Sequence, residues 1–89
     1  MNKSISILGA GESGVGAAIL AKKHAFNVFV SDKHLIKESY KKKLAQNNID
    51  FEEGKHTVNK ILESDLIIKS PGIPNENELI LNNDPYKKS

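Results

Sequence analysis

The sequence has no cysteine, no tryptophan and no arginine. Without cysteine there are no disulfides and no thiolate metal ligands, and a cytoplasmic setting is expected. Without arginine, all 13 cationic side chains are lysine; against 11 carboxylates they leave a net charge of +2. Nucleic-acid readers lean on arginine forks for bases and phosphates, so no nucleic-acid partner is expected. Long apolar runs are also missing: none approaches the roughly 20 residues of a membrane span. Met1 leads almost directly into a strand-like segment, so neither a targeting peptide nor a membrane partner is expected. The 89 residues bound one domain with a modest core. A chain of this size buries roughly 60–65% of its unfolded surface.

What is present is an alternation of strand and helix patterns. Ser4-Ile5-Ser6-Ile7-Leu8 reads as a first strand, ended by Gly9. After Gly9-Ala10-Gly11-Glu12-Ser13-Gly14, the residues Val15, Ala18, Ile19 and Lys22 recur at helical spacing and mark a first helix, closed by His24 to Asn27. Val28-Phe29-Val30 is a second strand, with Ser31 and Asp32 at its C-terminal tip. A second helix is expected from about Ile36 to Gln46, with Tyr40 and Leu44 on one face. Ile49-Asp50-Phe51-Glu52 alternates as a half-exposed third strand, ended by Gly54. Val58, Ile61 and Leu62 mark a short third helix, and Asp65 opens a fourth strand, Leu66 to Lys69. Ser70-Pro71-Gly72-Ile73-Pro74 breaks the chain, a last short helix is expected from Glu76 to Leu81, and the polar stretch from Asn82 to Ser89 reads as a frayed tail. The expected domain is therefore 1–81, with 82–89 outside it.

Strands alternating with helices imply parallel pairing through right-handed crossovers. The expected fold is α/β and Rossmann-like: a doubly wound parallel sheet of about four strands in the order 3-2-1-4. Ligands of such sheets bind beyond the C-terminal strand ends, where the strand order reverses. The loops after the first, second and fourth strands face that crevice.

The first of these loops carries the strongest signal. Gly9 allows the tight turn out of the strand, Gly11 lets backbone N–H groups approach a phosphate, and Gly14 lets the helix pack closely on the sheet. The helix N-terminus adds unpaired donors and a partial positive charge. G-x-G-x-x-G is weak alone, but here it follows a strand, opens a helix and starts a βαβ unit. The competing reading is a glycine-rich packing turn without a ligand. Ser13 can cap the helix or donate to a phosphate. Glu12 is expected to point outward and to contribute only its backbone N–H. Asp32, about 20 residues beyond the glycines, stands where an acid accepts hydrogen bonds from a ribose diol; the alternative is a plain turn aspartate. Lys33 and His34 can flank a base or phosphate or simply be solvated. Ser70, Pro71 and Gly72 read either as a rigid wall for a flat ligand group or as bare turn chemistry. Lys41-Lys42-Lys43 reads as the solvated face of the second helix. His24 and His56 have no partner at metal spacing and are read as surface residues, and no metal site is expected. No nucleophile–base pair is visible, so no catalytic residue is assigned. No G-x-x-x-x-G-K-[ST] loop is present, so ATP is not expected on these residues through such a loop.

Together, Ile7 to Gly16, Val30-Ser31-Asp32 and Lys69-Ser70-Pro71-Gly72-Ile73-Pro74 resemble the N-terminal domain of the Mur ligases, and most closely the branch that adds D-glutamate. The resemblance runs from about residue 3 to about residue 81, and the Ser-Pro-Gly-Ile-Pro run separates it from dehydrogenases. It implies a three-domain parent that makes an amide bond in peptidoglycan precursor synthesis. A central domain would carry ATP and magnesium and a C-terminal domain the incoming amino acid; both are absent here. No cofactor is then expected on this segment, and the segment alone is expected to be inactive. The implied ligand is UDP-N-acetylmuramoyl-L-alanine. Its diphosphate would meet the backbone around Gly11, Glu12 and Ser13, and its uracil end would meet Asp32, Lys33, Ser70, Pro71 and Gly72. The alternative is the NAD(P)-binding half of an oxidoreductase, which shares the glycine loop and Asp32 but leaves Ser70 to Pro74 unexplained.

Overall fold

A computed structural model describes residues 3–69. Its elements are β1 (Ser4–Leu8), α1 (Glu12–Lys23), β2 (Asn27–Asp32), α2 (Glu38–Gln46), β3 (Asp50–Glu53), α3 (Val58–Leu62) and β4 (Leu66–Lys69). The four strands form one parallel sheet in the order β3-β2-β1-β4, as the alternation of the sequence predicts. The expected Ser70–Gly72 wall, the last helix and the polar tail lie outside the described residues.

Period-two alternation splits the sheet into two unlike faces. Ile5, Ile7, Val28 and Val30 turn one way and pack with Val15 and Ala18 of α1 and Leu44 of α2, joined by Ile36 and Ile49. The other face presents Ser6, Phe29 and Ser31. There Ser6 shares a hydrogen bond with Ser64, and the Lys60 ammonium lies 4.8 Å from the centre of the Phe29 ring. That face is covered by α3, whose one buried side chain is Ile61. Small hydroxyls in place of branched apolar residues let the short helix and its flanking loops settle close to the sheet.

The third strand is shifted by one residue, to Asp50–Glu53, from the expected Ile49–Glu52, and two larger boundary differences have local reasons. The second helix starts at Glu38 rather than near Ile36, because Lys37 is extended at ψ 145° and serves as the N-cap, while the Ile36 N–H before it donates to Glu53 Oε1 at 2.8 Å. The second strand is longer than Val28–Val30 and includes Ser31 and Asp32, because β3 continues the parallel pairing through Ser31↔Glu52 and Asp32↔Glu53. Lys41 also departs from the solvated lysine face. Its ammonium pairs with Glu53 at 3.0 Å and Glu38 at 3.1 Å, whereas Lys42 and Lys43 are exposed. Hydrogen bonds from Lys41 to Glu53 first and Glu38 second hold the ammonium above its ordinary pKa.

Candidate functional site

The glycine loop sits at the C-terminal end of β1, between β1 and α1. Gly9 has φ +108°, a conformation that side chains strain to adopt, and its N–H donates to the Ser31 carbonyl at 2.8 Å. This locks the turn out of β1 onto the tip of β2. Gly11 is the N-cap of α1, extended at φ −87° and ψ −165°. The first helical bond runs from Val15 N to Gly11 O at 2.9 Å. The N–H groups of Glu12, Ser13 and Gly14 therefore have no intrahelical partner. No side chain caps this end, so the capping role open to Ser13 is not realised: Ser13 lies inside the first turn, and Gly11 occupies the cap position. A Cβ placed on Gly11 would meet nothing within 4 Å among the described residues, so the cap position has room beside it. Glu12 and Ser13 are exposed and Gly14 is buried.

Asp32 binds this loop to its neighbours. Its Oδ2 accepts from Ala10 N at 2.7 Å and its Oδ1 accepts from His34 N at 2.8 Å. The carboxylate thus spans the loop after β1 and the loop after β2. Two of its roughly four acceptor positions are used, which leaves capacity for a ligand hydroxyl or N–H. Lys33 and His34 beside it are exposed.

A further cluster joins the same rim, and the sequence reading missed it. The hydroxyl of the fully buried Ser31 donates to Glu52 Oε2 at 2.7 Å and lies 2.6 Å from His56 Nδ1. Glu52 also accepts from the Thr57 N–H and the Thr57 hydroxyl, each at 2.6 Å. Burial alone would push the Glu52 carboxyl up. The Thr57 and Ser31 hydrogen bonds and the Lys55 charge outweigh it, and the carboxyl lies below its ordinary pKa. Burial of the His56 ring lowers its pKa against the opposing pull of Asp32 and Glu52. His56 is therefore half-buried and hydrogen-bonded rather than a plain surface residue, whereas His24 is exposed as expected. The Ser31–His56 contact brings a hydroxyl and an imidazole together after all, but Ser31 has no exposure and gives its proton toward Glu52, so it is not a nucleophile. Only the turn glycine at Gly54 hints at the cluster in the sequence, because the loop it permits folds back over β2.

The loop after β3 is stitched to the tip of β2. Gly54 N donates to His34 O at 3.2 Å, and Lys55 N donates to Asp32 O at 3.3 Å. The structure thus brings Gly9, Gly11, Glu12, Ser13, Asp32, Lys33 and His34 to one end of the sheet and adds His56. Ser70, Pro71 and Gly72 lie outside the described residues. Among the described residues no three His, Asp or Glu side chains are grouped so as to hold a metal ion, and no helix is long and apolar enough to cross a membrane.

Comparison with known proteins is consistent with this geometry. Residues 4–79 match the family described as the MurD N-terminal domain. A UDP-N-acetylmuramoylalanine–D-glutamate ligase of Bacteroides thetaiotaomicron is 58% identical over 79 residues, covering 89% of this chain and 18% of the relative. The ligase of the same name from Christiangramia forsetii is 52% identical over 81 residues, covering 91% of this chain and 18% of the relative. That of Chlorobium phaeobacteroides is 42% identical over 72 residues, or 81% of this chain and 15% of the relative. The chain spans less than a fifth of the length of these relatives.

Proposed function

The chain belongs to the MurD N-terminal domain family, and on that premise we propose that it anchors the UDP end of UDP-N-acetylmuramoyl-L-alanine for a ligase that adds D-glutamate in peptidoglycan precursor synthesis. The observation that carries the reading is the uncapped N-terminus of α1, with room beside Gly11, held at the end of the sheet by Gly9 and Asp32. Backbone N–H groups of Glu12 and Ser13, with the positive end of the helix dipole, are suited to a diphosphate. The remaining acceptor positions of Asp32 are suited to the nucleoside, with Lys33 beside it. Ser70, Pro71 and Gly72 are assigned to the uracil wall on resemblance alone. The domain is 1–81 in this reading.

The role is positional. Holding the nucleotide handle far from the reacting carboxylate supplies binding energy that orients that carboxylate elsewhere. ATP, magnesium and the incoming amino acid are assigned to the rest of a longer parent, acting in the cytoplasm by ATP-driven amide-bond formation. The segment alone is assigned no turnover.

The test is an NMR titration of the labelled chain with UDP-N-acetylmuramoyl-L-alanine, UMP and NAD. Saturable amide shifts at Gly11, Ser13 and Asp32 with the uridine ligands, and none with NAD, are expected. Shifts with NAD alone, or none with any ligand, would overturn the reading.

A further inference from the structure

The ring of His56 is fixed in orientation by chemistry that can be followed proton by proton. The Ser31 hydroxyl carries one proton. Its oxygen lies 2.7 Å from a Glu52 carboxylate oxygen, 2.6 Å from His56 Nδ1 and 3.2 Å from the Lys55 carbonyl, a longer contact to a neutral acceptor. Two bare oxygens at the first distance would repel, so the hydroxyl proton goes to the carboxylate, the stronger acceptor. His56 Nδ1 must then carry its own proton and donate to Ser31. In the neutral ring this leaves Nε2 as a bare acceptor.

Nε2 has no partner among the described groups. It is also not sealed inside, because no buried side-chain nitrogen or oxygen among them lacks a hydrogen bond. The loop that carries the ring is bonded to Asp32 and His34 through Lys55 N and Gly54 N. Asp32 in turn holds Ala10 of the glycine loop. The charged groups acting on the ring are Asp32 from β2, Glu52 from β3, and Lys33 and His34 from the loop after β2. His56 therefore stands on the same rim as the nucleotide residues.

We propose that His56 contacts the bound nucleotide, accepting at Nε2 a hydrogen bond from a donor of the nucleoside. The inference rests on the uridine-anchor reading and extends it. Burial keeps the ring neutral near pH 7, so Nε2 offers a lone pair and not a proton. Phosphate oxygens, which have no proton to give, are repelled by such an acceptor. The nucleoside offers two kinds of donor that suit it, the ribose hydroxyls and the imide N–H of uracil.

Long-range proton–nitrogen spectra of the chain read the state of Nε2 directly. UMP is expected to move the His56 Nε2 resonance together with the amides of Gly11 and Ser13. His56→Asn keeps an amide where Nδ1 stands and removes Nε2, so it should weaken UMP binding about two- to tenfold, the range of one neutral hydrogen bond. His56→Gln, which returns a polar group near Nε2, should recover part of the loss. Of 2′-deoxy-UMP, 3′-deoxy-UMP and N3-methyl-UMP, the one that binds wild type and His56→Asn equally names the donor. If UMP moves Gly11 and Ser13 while Nε2 stays still and His56→Asn binds as tightly as wild type, the His56 inference fails and the anchor reading stands. If all three analogues still distinguish the variant from wild type, the assignment to the ribose hydroxyls and the imide N–H fails. If UMP does not bind the wild-type chain, both readings fall. The wild-type ring measurement decides the matter even if His56→Asn does not fold.

Discussion

Replacing Gly11 by serine should stabilise the fold and damage the site at once. Gly11 is the N-cap of a helix that lacks a side-chain cap, its backbone is already in the extended conformation an N-cap serine uses, and nothing lies within 4 Å of a Cβ there. A serine oxygen at this position accepts from the N–H of the second or third helical residue, here Ser13 or Gly14. The gain over glycine is a few tenths of a kcal/mol from the cap and about 0.4–1 kcal/mol from the reduced freedom of the unfolded chain. A net gain of about 0.5–1.5 kcal/mol raises Tm by roughly 2–10 °C for a domain of this size. The same side chain consumes a donor that the proposed function assigns to the diphosphate and occupies the room beside it. Losing a hydrogen bond to a charged group costs about 1.5–3 kcal/mol, so UMP should bind at least about tenfold more weakly. Thermal melts followed by circular dichroism and calorimetric UMP titrations give both numbers. A lower Tm would refute the cap argument; undiminished UMP affinity would refute the placement of the diphosphate. Gly9→Ala serves as the opposite control: at φ +108° it should destabilise by at least about 1 kcal/mol.

Asp32→Ala should cost about 1.5–3 kcal/mol in urea unfolding, because the buried Ala10 loses a charge-assisted acceptor while the exposed His34 N–H turns to water; a loss below about 0.5 kcal/mol would mean the carboxylate does not brace the loop. Stability should fall with acid in two stages. His56 and Glu52 both have folded pKa values below their ordinary ones, so the unfolded chain takes up protons first and stability rises with pH across each interval. The first loss begins as pH falls below 6.5, the ordinary histidine value, and the second as it falls below 4.5, the ordinary glutamate value. Thr57→Val removes one hydrogen bond to Glu52, so the second stage should shrink and the Glu52 carboxyl resonance should titrate at higher pH; urea midpoints independent of pH would contradict both assignments.

The strand order was legible because it depends only on the alternation of patterns and on right-handed crossovers. Gly9 and Gly11 were legible because their backbone requirements follow from where they sit between a strand and a helix. The position of Asp32 at the tip of the second strand was legible, but its hydrogen bond to Ala10 was not, since that contact joins residues 22 apart and depends on the β1–β2 register. The cluster of Ser31, Glu52, His56 and Thr57 escaped for the same reason. Each residue alone looks like a strand tip, an acid on a half-exposed strand, a surface histidine and a turn threonine. Only the parallel pairing of Ser31 with Glu52, and the return of the loop after Gly54, bring them into contact. Lys41 likewise looked like one of three solvated lysines until Glu53, on another element, supplied its partner.

The same contacts bear on how binding energy is used. Three separate loops meet at this rim, and each is bonded to the next: Gly9 and Ala10 to Ser31 and Asp32, then Asp32 and His34 to Lys55 and Gly54. Backbone donors of these loops, among them Gly9, Ala10, His34, Gly54, Lys55 and Thr57, are satisfied within the rim, while no side chain caps the N–H groups at the start of α1. A ligand arriving there does not have to order the loops that hold it, and the ordering cost of association is correspondingly smaller. For an anchor this matters more than raw contact area. In the proposed anchor role, whatever is not spent on assembling the rim would remain available to hold the far end of a bound substrate in place.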